Sequence, residues 1–190
     1  TVNRVTLSED GLSASVIVTA DDNSSTPMTI SVLETVTDMV DNIMVANVSA
    51  AQPVDTINPT VTIEESFGTA VDDNIVADAD QPVTYTVTFS EPVQSFTSAD
   101  IDTGSNGTLQ ADTISVVTDA SGNIIGASFG VLASDGLEGE LSVNIKDSVV
   151  DLNGNVLDPN NNTVVVDTLN PEVSVSLSSE SSDGGSYNYV

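Results

Sequence analysis

The chain has 190 residues, of which 39% are hydrophobic and only 4% aromatic, and it contains neither cysteine nor histidine. Its 29 acidic residues outnumber two basic ones, Arg4 and Lys146, so the formal net charge is −27. This balance excludes nucleic acid as a partner, because phosphate binding needs clustered Lys and Arg, and it disfavours anionic membrane surfaces. The missing cysteines exclude disulfides, zinc–thiolate sites and thiol catalysis.

The composition also limits how the chain folds. With so few aromatic residues, the core must consist of Val, Ile, Leu and Ala, a bias that favours strands over helices. No apolar run approaches the roughly 18 residues of a membrane span, so we expect no membrane insertion. A charge this large weakens folding by self-repulsion unless salt screens it or bound cations neutralise it.

One hexapeptide occurs twice. Val54-Asp55-Thr56-Ile57-Asn58-Pro59 returns 112 residues later as Val166-Asp167-Thr168-Leu169-Asn170-Pro171. In both copies a β-branched residue leads into Asp-Thr, and the proline prevents a strand ladder from continuing. The residue before each proline is restricted to extended geometry. We interpret both segments as joints in a tandem array, because their separation suits one small all-β domain.

Residues 57–168, between the joints, contain seven short segments with strand-like patterning and turn signals between them. The clearest is 83–89, where four apolar residues alternate with three threonines. We expect Ser90-Glu91-Pro92 to end that strand. The predicted strands are residues 60–63, 83–89, 93–96, 108–118, 124–132, 141–145 and 163–166. Seven short strands of this kind predict an all-β sandwich.

The flanking residues resemble pieces of the same unit. A shift of 112 residues aligns Thr1 with Thr113 and Val5 with Val117. We therefore expect residues 1–56 to be the C-terminal part of a preceding repeat, 57–168 a complete repeat and 169–190 the start of a following one. A half sandwich exposes its core face and unpaired edges. Either the chain is a fragment of a longer polypeptide, or neighbouring identical chains complete the half domain by strand addition.

Five short motifs follow one another in the sequence. They are Val-Asp-Thr-x-x-Pro at both joints, Phe-Ser-Glu-Pro-Val at 89–93, Phe-Thr-x-x-Asp-Ile at 96–101, Asn-Gly-Thr-Leu at 106–109 and Asp-x-x-Gly-Asn at 151–155. In this order they resemble bacterial immunoglobulin-like repeats, which form the stalks of giant RTX-type, type I-secreted surface adhesins. The resemblance implies a seven-stranded, Greek-key immunoglobulin-like sandwich, an extracellular or cell-surface location, and Ca²⁺ at domain junctions. The loop at 38–42 departs from the pattern because it lacks a glycine.

Acidic residues are predicted to gather on both sides of each joint, because consecutive connections in a sandwich alternate between its ends. Ca²⁺ takes roughly six to eight oxygen ligands, mostly carboxylate and carbonyl. Solvated loop carboxylates are the competing interpretation. The candidate ligands at the first joint are Asp55, Glu91, Asp147 and Asp151, closed by Asp21 or Asp22 of the preceding unit. Those near the second joint are Asp72, Asp73, Asp100, Asp102 and Asp167.

These features predict a structural extender rather than an enzyme. The chain has no histidine, cysteine or Gly-x-Ser-x-Gly elbow, and seven Tyr and Phe residues supply little aromatic platform for a glycosidase. We expect its partners to be neighbouring repeats of the same polypeptide or neighbouring identical chains. Two alternatives stay open: a filament subunit assembled by strand complementation, and a glycan- or ice-binding module with a threonine-rich face such as Thr84, Thr86 and Thr88.

Overall fold

A computed structural model of the chain describes residues 1–67 and 75–176, and within these ranges the fold is almost entirely β-structure. The helical elements of this part are two short 3-10 turns, Asp78–Asp80 and Ser98–Asp100. None of the described helices is long and apolar enough to cross a membrane. The strands are β1 (Val2–Leu7), β2 (Ala14–Val18), β3 (Ser31–Val32), β4 (Asn47–Val48), β5 (Val61–Ser66), β6 (Ile75–Val76), β7 (Val83–Val93), β8 (Ile101–Asp102), β9 (Gly107–Thr118), β10 (Ile124–Ala133), β11 (Glu138–Ile145) and β12 (Asn162–Asp167).

Eight of these strands form two four-stranded sheets. One sheet has the order β5-β7-β10-β9 and is antiparallel throughout. The other has the order β6-β12-β11-β8, in which only β6 and β12 run parallel. A single cluster of buried apolar side chains draws on both sheets, because each sheet must bury its apolar face against another layer. The predicted all-β sandwich is confirmed.

Strand β7 shows why the core forms where it does. Its apolar residues from Val83 to Phe89 are buried, while the threonines between them are exposed to solvent. From β10, Phe129 stacks on Tyr85 with ring centroids 5.9 Å apart. Complete burial of a Val or Phe side chain contributes about 1.5–3 kcal/mol to the free energy of folding. The buried apolar side chains all lie between Val76 and Val166, and Val61, Ile63 and Phe67 pack against them.

The prediction that Ser90-Glu91-Pro92 ends this strand is wrong. Strand β7 continues to Val93, and the tripeptide is absorbed in a bulge. Thr88 pairs with Gly126 and Val93 pairs with Ile124, so five steps along β7 correspond to two along β10. Proline is tolerated there because the extra residues of a bulge stand outside the hydrogen-bonded ladder.

The third strand predicted at 93–96 is also misplaced. After Val93 the chain passes through the turn Ser98–Asp100, and the strand is β8, which pairs with β11 at Asn144 and Ile145. The chain therefore stays at one end of the sandwich until residue 100. Strand β6 lies within a stretch predicted as loop, and residues 68–74 of that stretch fall outside the described ranges.

Residues 1–56 form a more open arrangement. β1 and β2 pair as a hairpin, β3 and β4 pair over two residues, and Met28 bridges Gln52. No side chain in this segment is buried, and many of its large apolar side chains, among them Val5 and Ile17, are exposed. Such exposure is what we expected of a half sandwich. The division of the chain into repeats stays a prediction.

We predict that Gly126→Ala destabilises the sandwich. A Cβ at Gly126 would lie 2.6 Å from the main-chain oxygen of Val87, and backbone atoms of the neighbouring strand cannot move aside cheaply. Overpacking of this kind costs about 1–3 kcal/mol. Urea unfolding should show that loss. Gly139→Ala is the matched control, because its nearest neighbour would be the Leu137 side chain at 3.5 Å. Equal stability of the two variants would contradict the prediction.

Candidate metal centre

The first joint is fastened to the preceding loop by the side chain of Thr56. Its hydroxyl donates to the carbonyl of Asp21 at 2.8 Å and accepts from the amide of Ser24 at 2.9 Å. The main-chain amide of Thr56 donates to the carbonyl of Ser24 at 3.0 Å. The Thr56 side chain thus bonds two main-chain groups of the loop and its main-chain amide bonds a third, which fixes where Asp55 lies.

The second joint repeats these contacts. The Thr168 hydroxyl donates to the Ser134 carbonyl at 2.8 Å and accepts from the Leu137 amide at 2.9 Å. The main-chain amide of Thr168 donates to the Leu137 carbonyl at 2.7 Å. The Asp167 carboxylate accepts from the Leu169 amide at 3.1 Å, as the Asp55 carboxylate accepts from Ile57 at 3.2 Å. The two hexapeptides therefore share their local hydrogen bonding as well as their sequence.

The next contributor is the loop 151–155, which is built around a buried carboxylate. Oδ1 of Asp151 accepts from the main-chain amides of Asn153, Gly154 and Asn155 at 2.8, 2.6 and 2.8 Å. Oδ2 accepts from the Asn155 side-chain amide at 2.8 Å. Burial alone would raise the pKa of Asp151, but these hydrogen bonds outweigh it and lower the pKa below its usual value. Asp151 is therefore held as an anion.

Two other loops have the same construction. Asp119 accepts from the amides of Ser121 and Asn123 and from the Asn123 side chain. Asp38 accepts in the same way from Val40 and Asn42. In loop 38–42 the residue at the glycine position is Asp41, which itself adopts a positive φ of 64°. Aspartate tolerates this left-handed conformation better than most residues, so the missing glycine leaves the loop geometry unchanged.

Glu91 reaches the joint from the bulge of β7. Val93 bridges Asp151, so the two preceding residues of the bulge lie next to the loop 151–155. One carboxylate oxygen each from Asp55, Glu91 and Asp151 lies within 4.8 Å of the other two. The linker, the bulge and the loop thus converge on one point, and we call these three side chains the carboxylate cluster.

In the part of the chain that the structure describes, no cationic group forms an ion pair with the carboxylate cluster. Among the residues that the structure describes, the single ion pair joins the Thr1 amino group to Asp21 at 3.9 Å. The Lys146 ammonium donates to the carbonyl of Ala99 at 2.7 Å. Burial and the negative charges of Asp55 and Asp151 raise the pKa of Glu91 above its usual value. Like charges at this spacing repel, so the arrangement favours either a proton or a cation.

Two asparagine amides also reach Asp55, a contact that sequence analysis did not predict for either residue. The Asn153 side chain donates to Oδ2 of Asp55 at 2.8 Å. The Asn155 side chain donates to the main-chain carbonyl of Asp55 at 3.2 Å. Both contacts join residues about 100 positions apart in the chain. Asn155 belongs to the Asp-x-x-Gly-Asn motif, but neither residue carries a sequence signal for a contact with the linker.

Three candidate ligands at the first joint lie outside the carboxylate cluster. Asp147 follows β11 but contributes no carboxylate oxygen to it. Asp21 meets Thr56 through its carbonyl and the Thr1 amino group through its carboxylate. Asp22 lines a polar cavity of about 190 Å³ beside Asn58 and Asp158. Asp158, which sequence analysis missed, accepts from the Asn58 side chain at 3.0 Å.

Among its described members, the predicted second cluster does not bring Asp100 and Asp102 to Asp167. Asp100 accepts from the Ser148 hydroxyl at 2.7 Å, and Asp102 pairs with Asn144, whereas Asp167 pairs with Glu138 at the other end of β11. Placing Asp100 and Asp102 near Asp167 was wrong because the third strand begins later than predicted. Asp72 and Asp73, the other two members, lie outside the described residues.

Comparison with known proteins identifies no relative. No protein-family model, curated protein or solved structure matches the chain significantly. The resemblance to bacterial immunoglobulin-like repeats therefore stays a prediction that depends on the motifs and their order.

We predict that Glu91 in the cation-free protein titrates above its usual pKa of 4.5, and that Asp55→Asn lowers this pKa. The reason is that burial and two neighbouring charges disfavour the Glu91 carboxylate. NMR titration of the side-chain carboxyl carbon measures it. Asp135→Asn, in the hairpin between β10 and β11, is the control and should leave the value unchanged.

The shifted pKa values of Glu91 and Asp151 make the stability of the folded chain depend on pH. A pKa raised in the folded state contributes stability that is complete below pH 4.5 and is lost as pH rises through the folded-state pKa of Glu91. Asp151 acts oppositely: its contribution is complete above its usual pKa of 3.8 and is lost as pH falls through its lowered value. A Glu91 that titrates at or below 4.5 would contradict this electrostatic description.

Proposed function

We propose that this chain is part of the stalk of a secreted or cell-surface bacterial adhesin, an extender whose joints are stiffened by Ca²⁺. The observation that carries the proposal is the carboxylate cluster, in which the linker, the β7 bulge and the loop 151–155 bring three unneutralised acids to one joint. A stalk has to resist bending between its modules, and the joint is where it bends. A divalent cation at that point would bind the linker to the sandwich.

The donor set fits a hard cation. Asp55, Glu91 and Asp151 offer carboxylate oxygens only, and the chain has no histidine or cysteine to favour zinc. Ca²⁺ suits such oxygen-rich sites better than Mg²⁺, because it accepts flexible geometry and sheds water more readily. When bound, the cation would offset the negative charge of the cluster and would be held by the linker through Asp55 and by the sandwich through Glu91 and Asp151.

The three acids of the cluster differ in burial and in hydrogen bonding, and the pKa shifts of Glu91 and Asp151 have opposite directions. Asp151 is fully buried and stays ionised because of its four hydrogen bonds. Asp55 is half-buried and held by the linker turn, and half-buried Glu91 has a raised pKa. Near neutral pH a cation would therefore supply the positive charge that no cationic side chain within ion-pair distance supplies in the described joint.

The repeated joint supports the array. Thr56 and Thr168 make the same three hydrogen bonds to their preceding loops, and Asp55 and Asp167 form the same turn. Loops 38–42 and 151–155 also share their hydrogen bonds, and the flanking bridges Thr37–Ile43 and Val150–Val156 correspond. Repeated local structure at a fixed spacing is what a string of similar modules requires.

One observation favours a second candidate, a filament subunit completed by strands of neighbouring identical chains. The hairpin of β1 and β2 exposes apolar side chains such as Val5, Leu7 and Ile17, and an exposed strand edge can pair with another chain. Assembly that grows with protein concentration would favour this candidate over an extender.

We predict that Ca²⁺ raises the melting temperature relative to chelator, while Mg²⁺ changes it little. Binding to the folded state adds about 2.7 kcal/mol when free cation is about one hundred times the dissociation constant. Glu91→Gln should reduce the Ca²⁺-dependent rise because it removes one carboxylate. Differential scanning calorimetry measures the melting temperature in Ca²⁺, in Mg²⁺ and in chelator.

The matched control is Glu64→Gln, the same substitution at an exposed residue of β5. It should keep the full response to Ca²⁺. In chelator, Glu91→Gln should be at least as stable as the parent chain, because the substitution removes like-charge repulsion. Identical melts in Ca²⁺ and chelator would remove the cation from the proposal.

A further inference from the structure

Asn153 makes a contact that its own loop does not need. In the three loops built on Asp38, Asp119 and Asp151, the fifth residue is always an asparagine that closes the loop. The third residue varies: it is Val40, Ser121 or Asn153, and only its main-chain amide serves the loop. The side chain of Asn153 is therefore free for another role, and it donates to Oδ2 of Asp55.

The linker is held on the same side by a second amide. Asn155 closes its loop through Asp151 and also donates to the main-chain carbonyl of Asp55. The two amides thus contact both the carboxylate and the backbone of one linker residue. Oδ1 of Asp55 also accepts from the Ile57 amide, so each oxygen of this carboxylate accepts one hydrogen bond.

We propose that Asn153 and Asn155 form an amide clamp that orders the joint before any cation binds. This inference deepens the proposed function, since it makes the two asparagines positioning residues for the carboxylate cluster. The clamp itself consists of hydrogen bonds between protein groups, so it does not depend on the proposed function. Only the statement that it prepares a cation site rests on that function.

The clamp opposes the repulsion among the three carboxylates of the cluster. Glu91 and Asp151 lie close enough to repel the Asp55 carboxylate, and an N–H donor on Oδ2 stabilises that carboxylate without adding charge. A clamped joint loses less chain freedom when a cation arrives, so binding is pre-organised. Without the clamp, the cation would have to order the linker as well as neutralise it.

The test is the distribution of distances between two spin labels, measured by pulsed electron paramagnetic resonance on the full chain. The chain has no cysteine, so Glu9→Cys and Glu140→Cys label one exposed position on each side of the joint. In chelator the otherwise unsubstituted chain should give one narrow distance peak. Asn153→Ala should lose that peak, and Ser121→Ala, the equivalent position of the loop on Asp119, should keep it.

Asn153→Asp separates the clamp from the cation site. In chelator its carboxylate faces that of Asp55, so the narrow peak should be lost, and Ca²⁺ should restore it because the added oxygens can bind the cation. A melting curve for each variant shows that the sandwich itself stays folded.

The outcomes are distinct. A broad distribution in chelator without any substitution at Asn153, or a narrow one for Asn153→Ala, would overturn the clamp. If Asn153→Ala loses the peak but Ca²⁺ fails to restore Asn153→Asp, the clamp stands and the cation site of the proposed function fails.

Discussion

The joint depends on keeping a buried carboxylate ionised. Asp151 is inaccessible to solvent, and it avoids protonation because three main-chain amides and one side-chain amide donate to it. A buried charge without such partners would cost several kcal/mol or be neutralised. Burial and the charges of Asp55 and of this anion raise the pKa of Glu91, and Asp55 must be held against the repulsion. The sandwich supplies the rigid support, and the linker and bulge bring the other two acids.

Parts of this arrangement follow from local sequence. The alternation of apolar residues and threonines at 83–89 determines which face of β7 is buried. Because β5 and β10 pair with β7, the same alternation also sets which face of the sheet packs on the core. The hexapeptides mark the joints because proline and Asx turns have strong local preferences. Counting connections also grouped Asp55, Glu91 and Asp151, and the structure brings these three together although Glu91 lies in a bulge and not at a strand end.

Other parts depend on tertiary context. The bulge at Ser90-Glu91-Pro92 looks like a strand end from sequence, because only the pairing of Val93 with Ile124 shows that the strand resumes. That misreading shifted the third strand and put Asp100 at the wrong end of the sandwich. Asn153 was missed for another reason: an amide that contacts a residue about 100 positions away leaves no periodic or spacing signal.

The central claim is that a divalent cation binds the carboxylate cluster specifically, rather than screening a chain of charge −27 in general. A Ca²⁺ titration followed by amide NMR shifts tests it directly. Our account predicts saturating shifts at Ile57, Gly154 and Asn155, whose amides donate to Asp55 or Asp151, and none at Ser121 and Asn123, which surround Asp119 in the same kind of loop. Equal, non-saturating shifts at both loops would contradict it.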